Sequence, residues 1–275
     1  MKKNKAEKGA LENENETHLE NEKVPEPKII FEDDNYLVID KPAGLAVHPG
    51  GNIKGATLKD WLVNYLPEII SIGESEERPG IVHRLDMDVS GLMVLAKTKE
   101  AYDDLKKQFK ARRVTKEYVA LVYGDISKDS DVIDFPIKRS REGFKMAAMP
   151  RNNENILTRK HPKNRDQGNL DALEVAKDSI TEFSIIKRFV NYNLIDIKIK
   201  TGRTHQIRVH LYAYGHPLVG DPLYFTKKTK VKNQKFGLGR VFLFSKKLAF
   251  KNLEKEKLVF EIKMPKELEK KLPRN

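Results

Sequence analysis

The residues best suited to chemistry lie in three short runs of the chain. The first, residues 81–98, reads Ile-Val-His-Arg-Leu-Asp-Met-Asp-Val-Ser-Gly-Leu-Met-Val-Leu-Ala-Lys-Thr. Asp86 closes a His83-Arg84-Leu85 lead-in, ahead of a turn at Asp88-Val89-Ser90-Gly91 and an apolar strand from Leu92 to Ala96. Cationic neighbours favour the ionised form of a carboxylate, and a packed strand beside it holds it still. A lone Asp in a turn is ordinarily a cap or a solvated charge, so the weight rests on the whole run.

The second run is Thr201-Gly202-Arg203-Thr204-His205-Gln206-Ile207-Arg208-Val209-His210, continued by Gly215-His216-Pro217-Leu218-Val219-Gly220-Asp221-Pro222-Leu223-Tyr224. Gly202 permits a tight exit from the preceding strand, and Thr204 can cap the helix that follows. Ile207, Leu211 and Tyr214 recur at helical spacing and should face the core, with Gly215 as the stop. Arg208 falls one position past Ile207, at the edge of that face, which makes it semi-buried. Such a cation needs an anion, and Asp86 is a candidate. His205, His210 and His216 are spaced by five and six, so they do not share a helical face. Neither cysteine nor carboxylate completes a ligand set, and no metal site is expected. His205 reads as a satisfied structural histidine. The third run, Lys116-Glu117-Tyr118-Val119-Ala120-Leu121-Val122-Tyr123-Gly124, is strand-like on both faces, and Tyr118 supplies an aromatic face and a phenol.

These runs need elements to position them. Order should begin at Ile29-Ile30-Phe31, with a turn at 33–35, a strand from Tyr36 to Asp40, and a Pro/Gly-punctuated loop from Lys41 to Gly51. Thr57 can cap a helix carrying Leu58, Trp61, Leu62, Tyr65 and Leu66, and Thr98 one carrying Tyr102, Leu105 and Phe109. Strands are expected at 115–123, 179–189, 193–200, 241–250 and 258–264. Many strands, short turns and about three helices argue for an α+β domain on an antiparallel or mixed sheet. Residues 1–27, rich in Lys, Glu and Asn, read as a disordered polar tail. Residues 150–178 read as a mobile polar insertion, a solvated loop whose Arg159, Lys160, Lys163 and Arg165 could alternatively touch a polyanion. Residues 266–275 read as a charged tail.

Composition bounds the partners. The 275 residues are 39% hydrophobic and 33% charged, with no cysteine, which excludes disulfides and thiolate metal sites. No apolar run approaches the roughly 18–20 residues of a membrane span. The formal net charge is +12; five Lys against seven Glu leave residues 1–27 at −2, so the remainder carries +14. That excess favours a polyanion, with lysine-driven solubility as the equal alternative. A cytoplasmic monomer is the simplest expectation.

Taken together, the His-Arg-Leu-Asp run with Ser90-Gly91-Leu92 and Ala96-Lys97-Thr98, the Lys41-Pro42-Ala43-Gly44 and Val47-His48-Pro49 loop, the Lys116-Glu117-Tyr118 strand and the Gly202 to His210 block resemble the RluA-type pseudouridine synthases. The resemblance spans residues 28–265. It implies an α+β catalytic domain on a mixed, largely antiparallel sheet with a few flanking helices. The activity implied is isomerisation of uridine to pseudouridine in structured ribosomal or transfer RNA, without cofactor. By the same resemblance Asp86 is the catalytic carboxylate, Arg208 its basic partner, and Tyr118 lies against the target base. Arg84 would fill the vacated stack or grip a phosphate, and His83, Arg203, His205 and Gln206 are substrate-binding candidates.

Some features depart from the family. Met87 and Val89 stand where relatives often carry Lys and Thr, and Phe242-Leu243-Phe244-Ser245 replaces a segment that commonly contains Leu-His-Ala. Asp86 lies too near the start for the small RNA-binding domain that many relatives carry, so RNA grip is expected from the catalytic domain, helped by Lys227, Lys228, Lys230, Lys232, Lys235 and Arg240. Two rivals stay open: an RNA-binding or ribosome-assembly protein without activity, and a metal-dependent RNA hydrolase using His83, Asp86 and His205.

Overall fold

A computed structural model describes residues 25–50, 55–140, 143, 145–149 and 176–274. The chain opens with a hairpin, β1 (Lys28–Glu32) and β2 (Tyr36–Lys41), followed by α1 (Leu58–Tyr65), β3 (Ser90–Ala96), α2 (Lys99–Lys110) and β4 (Thr115–Tyr123). Short strands β5 (Ser130–Ile133), β6 (Ile137–Arg139) and β7 (Met146–Ala148) come next, then the pair β8 (Thr181–Phe189) and β9 (Tyr192–Ile199). The chain finishes with α3 (Gln206–Ala213), α4 (Lys227–Phe236), β10 (Leu243–Lys251), β11 (Lys257–Glu261) and α5 (Lys266–Glu269).

The main sheet runs β1-β2-β3-β10-β4-β9-β8-β5, with β11 on the outer half of β10, while β6 and β7 form a separate hairpin. Among the described residues only the β3–β10 strand contact is parallel, Phe244 opposite Ser90 and Ser245 opposite Gly91. The sheet is therefore mixed and largely antiparallel, as the sequence implies. That seam explains the Ser90-Gly91-Leu92 signature: Gly91 has φ 119°, and a Cβ there would lie 2.3 Å from the Ser245 carbonyl oxygen. No other residue allows the strands to approach so closely.

The first two helices begin where the sequence says. The Asp60 carboxylate accepts from both the backbone N–H and the hydroxyl of Thr57, each at 2.8 Å, and Thr98 Oγ1 accepts from the Ala101 N–H. α3 begins at Gln206 with His205 as its N-cap in the left-handed region (φ 53°), not with Thr204. Gly215 follows the helix at φ 95° as its stop. The sequence also understates the helix count. α4 is too polar to announce itself by periodicity, burying only Thr229, and α5 is a single turn. The core lies between the sheet and α1 and α3, where Leu58, Leu62 and Leu211 are fully buried beside Ile195, Ile197 and Tyr118. α2 packs on the opposite face through Ala101, Tyr102 and Leu105.

Two boundary expectations need revision. Residues 1–24 and 150–175 lie outside the described residues, as do Arg159, Lys160, Lys163 and Arg165. Lys177, however, pairs with Ile137, so residues 176–178 belong to the ordered domain. Residues 266–275 are not simply a charged tail. Leu268 is fully buried among Phe242, Phe244 and Val219, with Leu272 packed alongside, and Glu267 accepts a 2.6 Å bond from Arg240. The apolar Leu268 and Leu272, four residues apart, are the signal for that helix. Leu268→Ala should lower unfolding stability by ~2–5 kcal/mol, read from urea denaturation; a change within error would mean that the α5 turn merely rests on the surface.

Candidate active site

Asp86 sits on the turn entering β3, and its neighbours fix it from both sides. Leu85 and Val89 are buried in the core, while the Val89 N–H closes the turn on the Asp86 carbonyl at 3.1 Å. The loop after β2 clamps the turn from beneath. The Gly44 N–H donates to the Met87 carbonyl at 2.9 Å. The fully buried Lys41 donates to the carbonyls of Pro42, Leu45 and Met87 at 2.7, 2.8 and 3.2 Å. Burial pushes the Lys41 ammonium down to about 7. The Lys-Pro-x-Gly segment is thus the platform for the Asp86 turn.

Arg208 meets Asp86 from α3, Nη1 donating to Oδ2 at 3.0 Å. Its other edge makes a two-pronged contact with Asp221, Nε to Oδ2 at 2.8 Å and Nη2 to Oδ1 at 2.9 Å. The side chain is 4% exposed, against 17% for Asp86 and none for Asp221. Burial works against the guanidinium charge, but hydrogen bonding and charge from Asp221, then from Asp86, outweigh it and hold its pKa above the usual arginine value. Asp221 Oδ1 also accepts from the N–H groups of Leu223 and Tyr224. Asp221 had no assigned role in the sequence; a lone Gly-Asp-Pro reads as a turn. The available signal was a carboxylate thirteen residues beyond a buried arginine.

A cavity of about 580 Å³ opens over this pair, with Tyr118, Phe109 and His83 in its lining. Tyr118 is 5% exposed, and burial raises its phenol well above the ordinary tyrosine value, so it is a neutral O–H at neutral pH. Basic residues line the cavity, among them Arg78, Arg84, Arg112, Lys200 and Arg203, while Asp86 is the one carboxylate in the lining among the described residues. Arg84 is exposed and contacts His48 Nε2 at 3.2 Å.

The remaining sequence candidates divide. His205 stands 4.0 Å from Asp86, Nε2 to Oδ2, with Nδ1 3.0 Å from the Tyr224 hydroxyl. That hydroxyl accepts from the Met146 N–H, so we assign its proton to Nδ1 and the imidazole proton to Nε2, facing Asp86. Burial lowers the His205 pKa, opposed in part by Asp86. Its left-handed backbone is a strained cap of the kind found at functional sites. Arg203 lines the mouth, its backbone N–H bound to Gln206.

Gln206 lines the cavity, but its amide is fully engaged within the protein. Its Oε1 accepts from Thr201 and Arg203, and its Nε2 donates to the Ile180 carbonyl and the Thr181 hydroxyl, so its capacity is spent on holding α3 to β8. His83 does not supply a cation beside Asp86. Its Nε2 accepts from the Val94 N–H at 3.1 Å, the ring stacks on Phe109, and burial, helped by Lys116, depresses its pKa to about 3. Arg240 is likewise structural, donating to Ser90 Oγ, the Leu243 carbonyl and Glu267. Among the described residues, no group of three or more His, Cys, Asp or Glu is placed to hold a metal ion, and no helix is long and apolar enough to cross a membrane.

Comparison with known proteins identifies the family. Residues 35–213 match the family model for RNA pseudouridylate synthase, and the chain belongs to that family. Within it, the likeness is to the RluA type. A ribosomal large subunit pseudouridine synthase D from Nitrosomonas europaea is 40% identical over 215 residues, covering 78% of this chain and 54% of that protein. An uncharacterized RNA pseudouridine synthase of Aquifex aeolicus is 37% identical over 259 residues, covering 88% of this chain and 74% of the other. The chain therefore spans about half the length of the ribosomal relative. Among solved structures, human RNA pseudouridylate synthase domain containing 1 superposes with TM-score 0.66 at 26% identity, covering 88% of this chain and 85% of that one.

Two measurements probe the site's construction. Asp221→Ala strips Arg208 of its buried partner and should cost roughly 3–5 kcal/mol of stability, measured by denaturant titration. His83 binds a proton below about 6.5 when unfolded but only near 3 when folded, so its contribution to stability is complete above 6.5 and is lost as pH falls toward 3. The urea midpoint should drop from pH 7 to pH 5, and less steeply in His83→Gln; identical slopes would mean that His83 titrates normally in the fold.

Proposed function

We propose that the protein is an RNA pseudouridine synthase that isomerises a uridine of ribosomal RNA. The observation that carries the reading is the Asp86–Arg208 pair, 3.0 Å apart, at the base of a nucleoside-sized cavity with a basic rim. A uridine stacked in RNA cannot reach that depth, so the nucleotide must leave its stack and enter the cavity. Asp86, held in one orientation by Arg208, carries out the bond-breaking chemistry at the ribose. The bond between the ribose and uracil nitrogen 1 breaks, the base turns within the cavity, and the ribose is rejoined to carbon 5, which gives up its proton while nitrogen 1 gains one. Nothing is oxidised and no group passes to a second molecule, so the reaction requires no cofactor.

Tyr118 offers the base a flat contact, and its protonated phenol is suited to a proton relay near Asp86. Arg84, exposed at the mouth, occupies the space the uridine leaves or holds a neighbouring phosphate, and Arg203 and His205 line the entry. The ribosomal assignment is supported by the names of the relatives, with transfer RNA as the alternative substrate. In the test, pseudouridines are mapped across total RNA with and without the gene, and recombinant protein is assayed on the RNA so identified, with chelator present. Wild type should convert one or a few uridines in ribosomal RNA. Asp86→Asn should reduce conversion to background while RNA affinity stays within about threefold. An Asp86→Asn enzyme at full rate removes the catalytic assignment, and RNA cleavage that stops with chelator supports the hydrolase reading instead.

A further inference from the structure

The cavity wall contains a second buried cation, which the chemistry above does not use. Lys116 is 9% exposed, and its ammonium has no hydrogen bond or ion pair with any described residue; it faces the ring of Phe109, 5.7 Å from Nζ to the centroid. Lysines are mostly exposed, and a deeply buried one is ordinarily paired. Burial alone depresses its pKa, to about 8, so the side chain is still charged at neutral pH. The surroundings leave it room. A Cβ on Gly202 would stand 3.3 Å from Nζ, tighter than most such contacts, so glycine at that position keeps the ammonium's space open.

Placement indicates what the charge is for. Lys116 and Tyr118 are two apart on β4, so their side chains leave the same face of the sheet, and both line the cavity over Asp86. A partly desolvated charge with no ion-pair partner, lining a binding space, suits a ligand that carries a full opposite charge. In RNA that group is the phosphodiester, because uracil presents carbonyl dipoles and no net charge. We propose that Lys116 is an RNA-binding residue whose ammonium takes up a phosphate flanking the nucleotide lodged in the cavity. The inference rests on the reading of the cavity as a site for an RNA nucleotide and adds to it a specific anion subsite on β4.

Such a residue trades stability of the free protein for affinity. Replacing a buried unpaired charge with an apolar side chain of similar length is neutral or stabilising, whereas losing one phosphate contact weakens RNA binding and its salt dependence. The experiment measures Kd for a ribosomal RNA transcript between 50 and 300 mM salt with wild type, Lys116→Met and Lys116→Gln, alongside Tm and steady-state kinetics. Both variants should bind about tenfold more weakly near 0.1 M salt, and the slope of log affinity against log salt should fall by about 0.7–0.9. KM should rise with kcat within about twofold, and the Tm of Lys116→Met should equal or exceed that of wild type. A single methylphosphonate at one of the two phosphates flanking the modified uridine should weaken wild type and leave both variants unchanged. An unaltered salt slope, a loss in kcat at constant KM, or a lower Tm with unchanged binding overturns the proposal. Should wild type form no pseudouridine, the activity reading fails, and the salt slopes still decide the role of Lys116.

Discussion

A single guanidinium organises this site. Arg208 is buried between two carboxylates, and its two-point contact with Asp221 offsets the desolvation that a lone ion pair with Asp86 would leave exposed to failure. The division of labour matters chemically. Because Asp221 neutralises and orients Arg208 from a fully buried position, Asp86 can change its own charge or partner during a reaction without stranding a cation in the core. The carboxylate that fixes Arg208 and the carboxylate that lines the cavity are separate residues, Asp221 and Asp86.

The surrounding fold serves the same end by immobilising backbone. Lys41 spends its three donors on carbonyls of the β2–α1 loop and the Asp86 turn, and Gly91 lets β10 lie directly against the start of β3. Gln206 ties α3 to β8, which sets the height of Arg208 above the sheet. Lys41 and Gly91 are positions where the sequence pattern suggests a simple loop or turn, whereas Gln206 falls in a helix; each acts on Asp86 or Arg208 through the main chain.

Much of this was legible beforehand, and the exceptions have physical causes. The caps at Thr57 and Thr98, the bounds of β4 and the meeting of Asp86 with Arg208 follow from local periodicity and from the need of a semi-buried cation for an anion. What escaped depends on tertiary partners. Asp221 reads as a turn until the arginine it holds is in place, His83 reads as a cation until its lone pair is seen on the Val94 N–H, and Gln206 reads as a ligand group until its four bonds are counted. Arg240, set among lysines, reads as part of a basic surface, yet it is drawn inward to Ser90 and Glu267. Helix α5 is too short for any periodic signal beyond two leucines.

The place of β10 carries a consequence for how the protein comes into being. Strand β3, which follows directly from the Asp86 turn, acquires its second neighbour from a segment 153 residues further along, and β4 receives an edge from the same segment. Until that segment emerges during synthesis, β3 and β4 cannot form their final seam, and the hairpins on either side exist as separate halves. Pairings of such long range form slowly, so the β3–β10–β4 seam beside the Asp86 turn closes only after residues 243–251 have been synthesised.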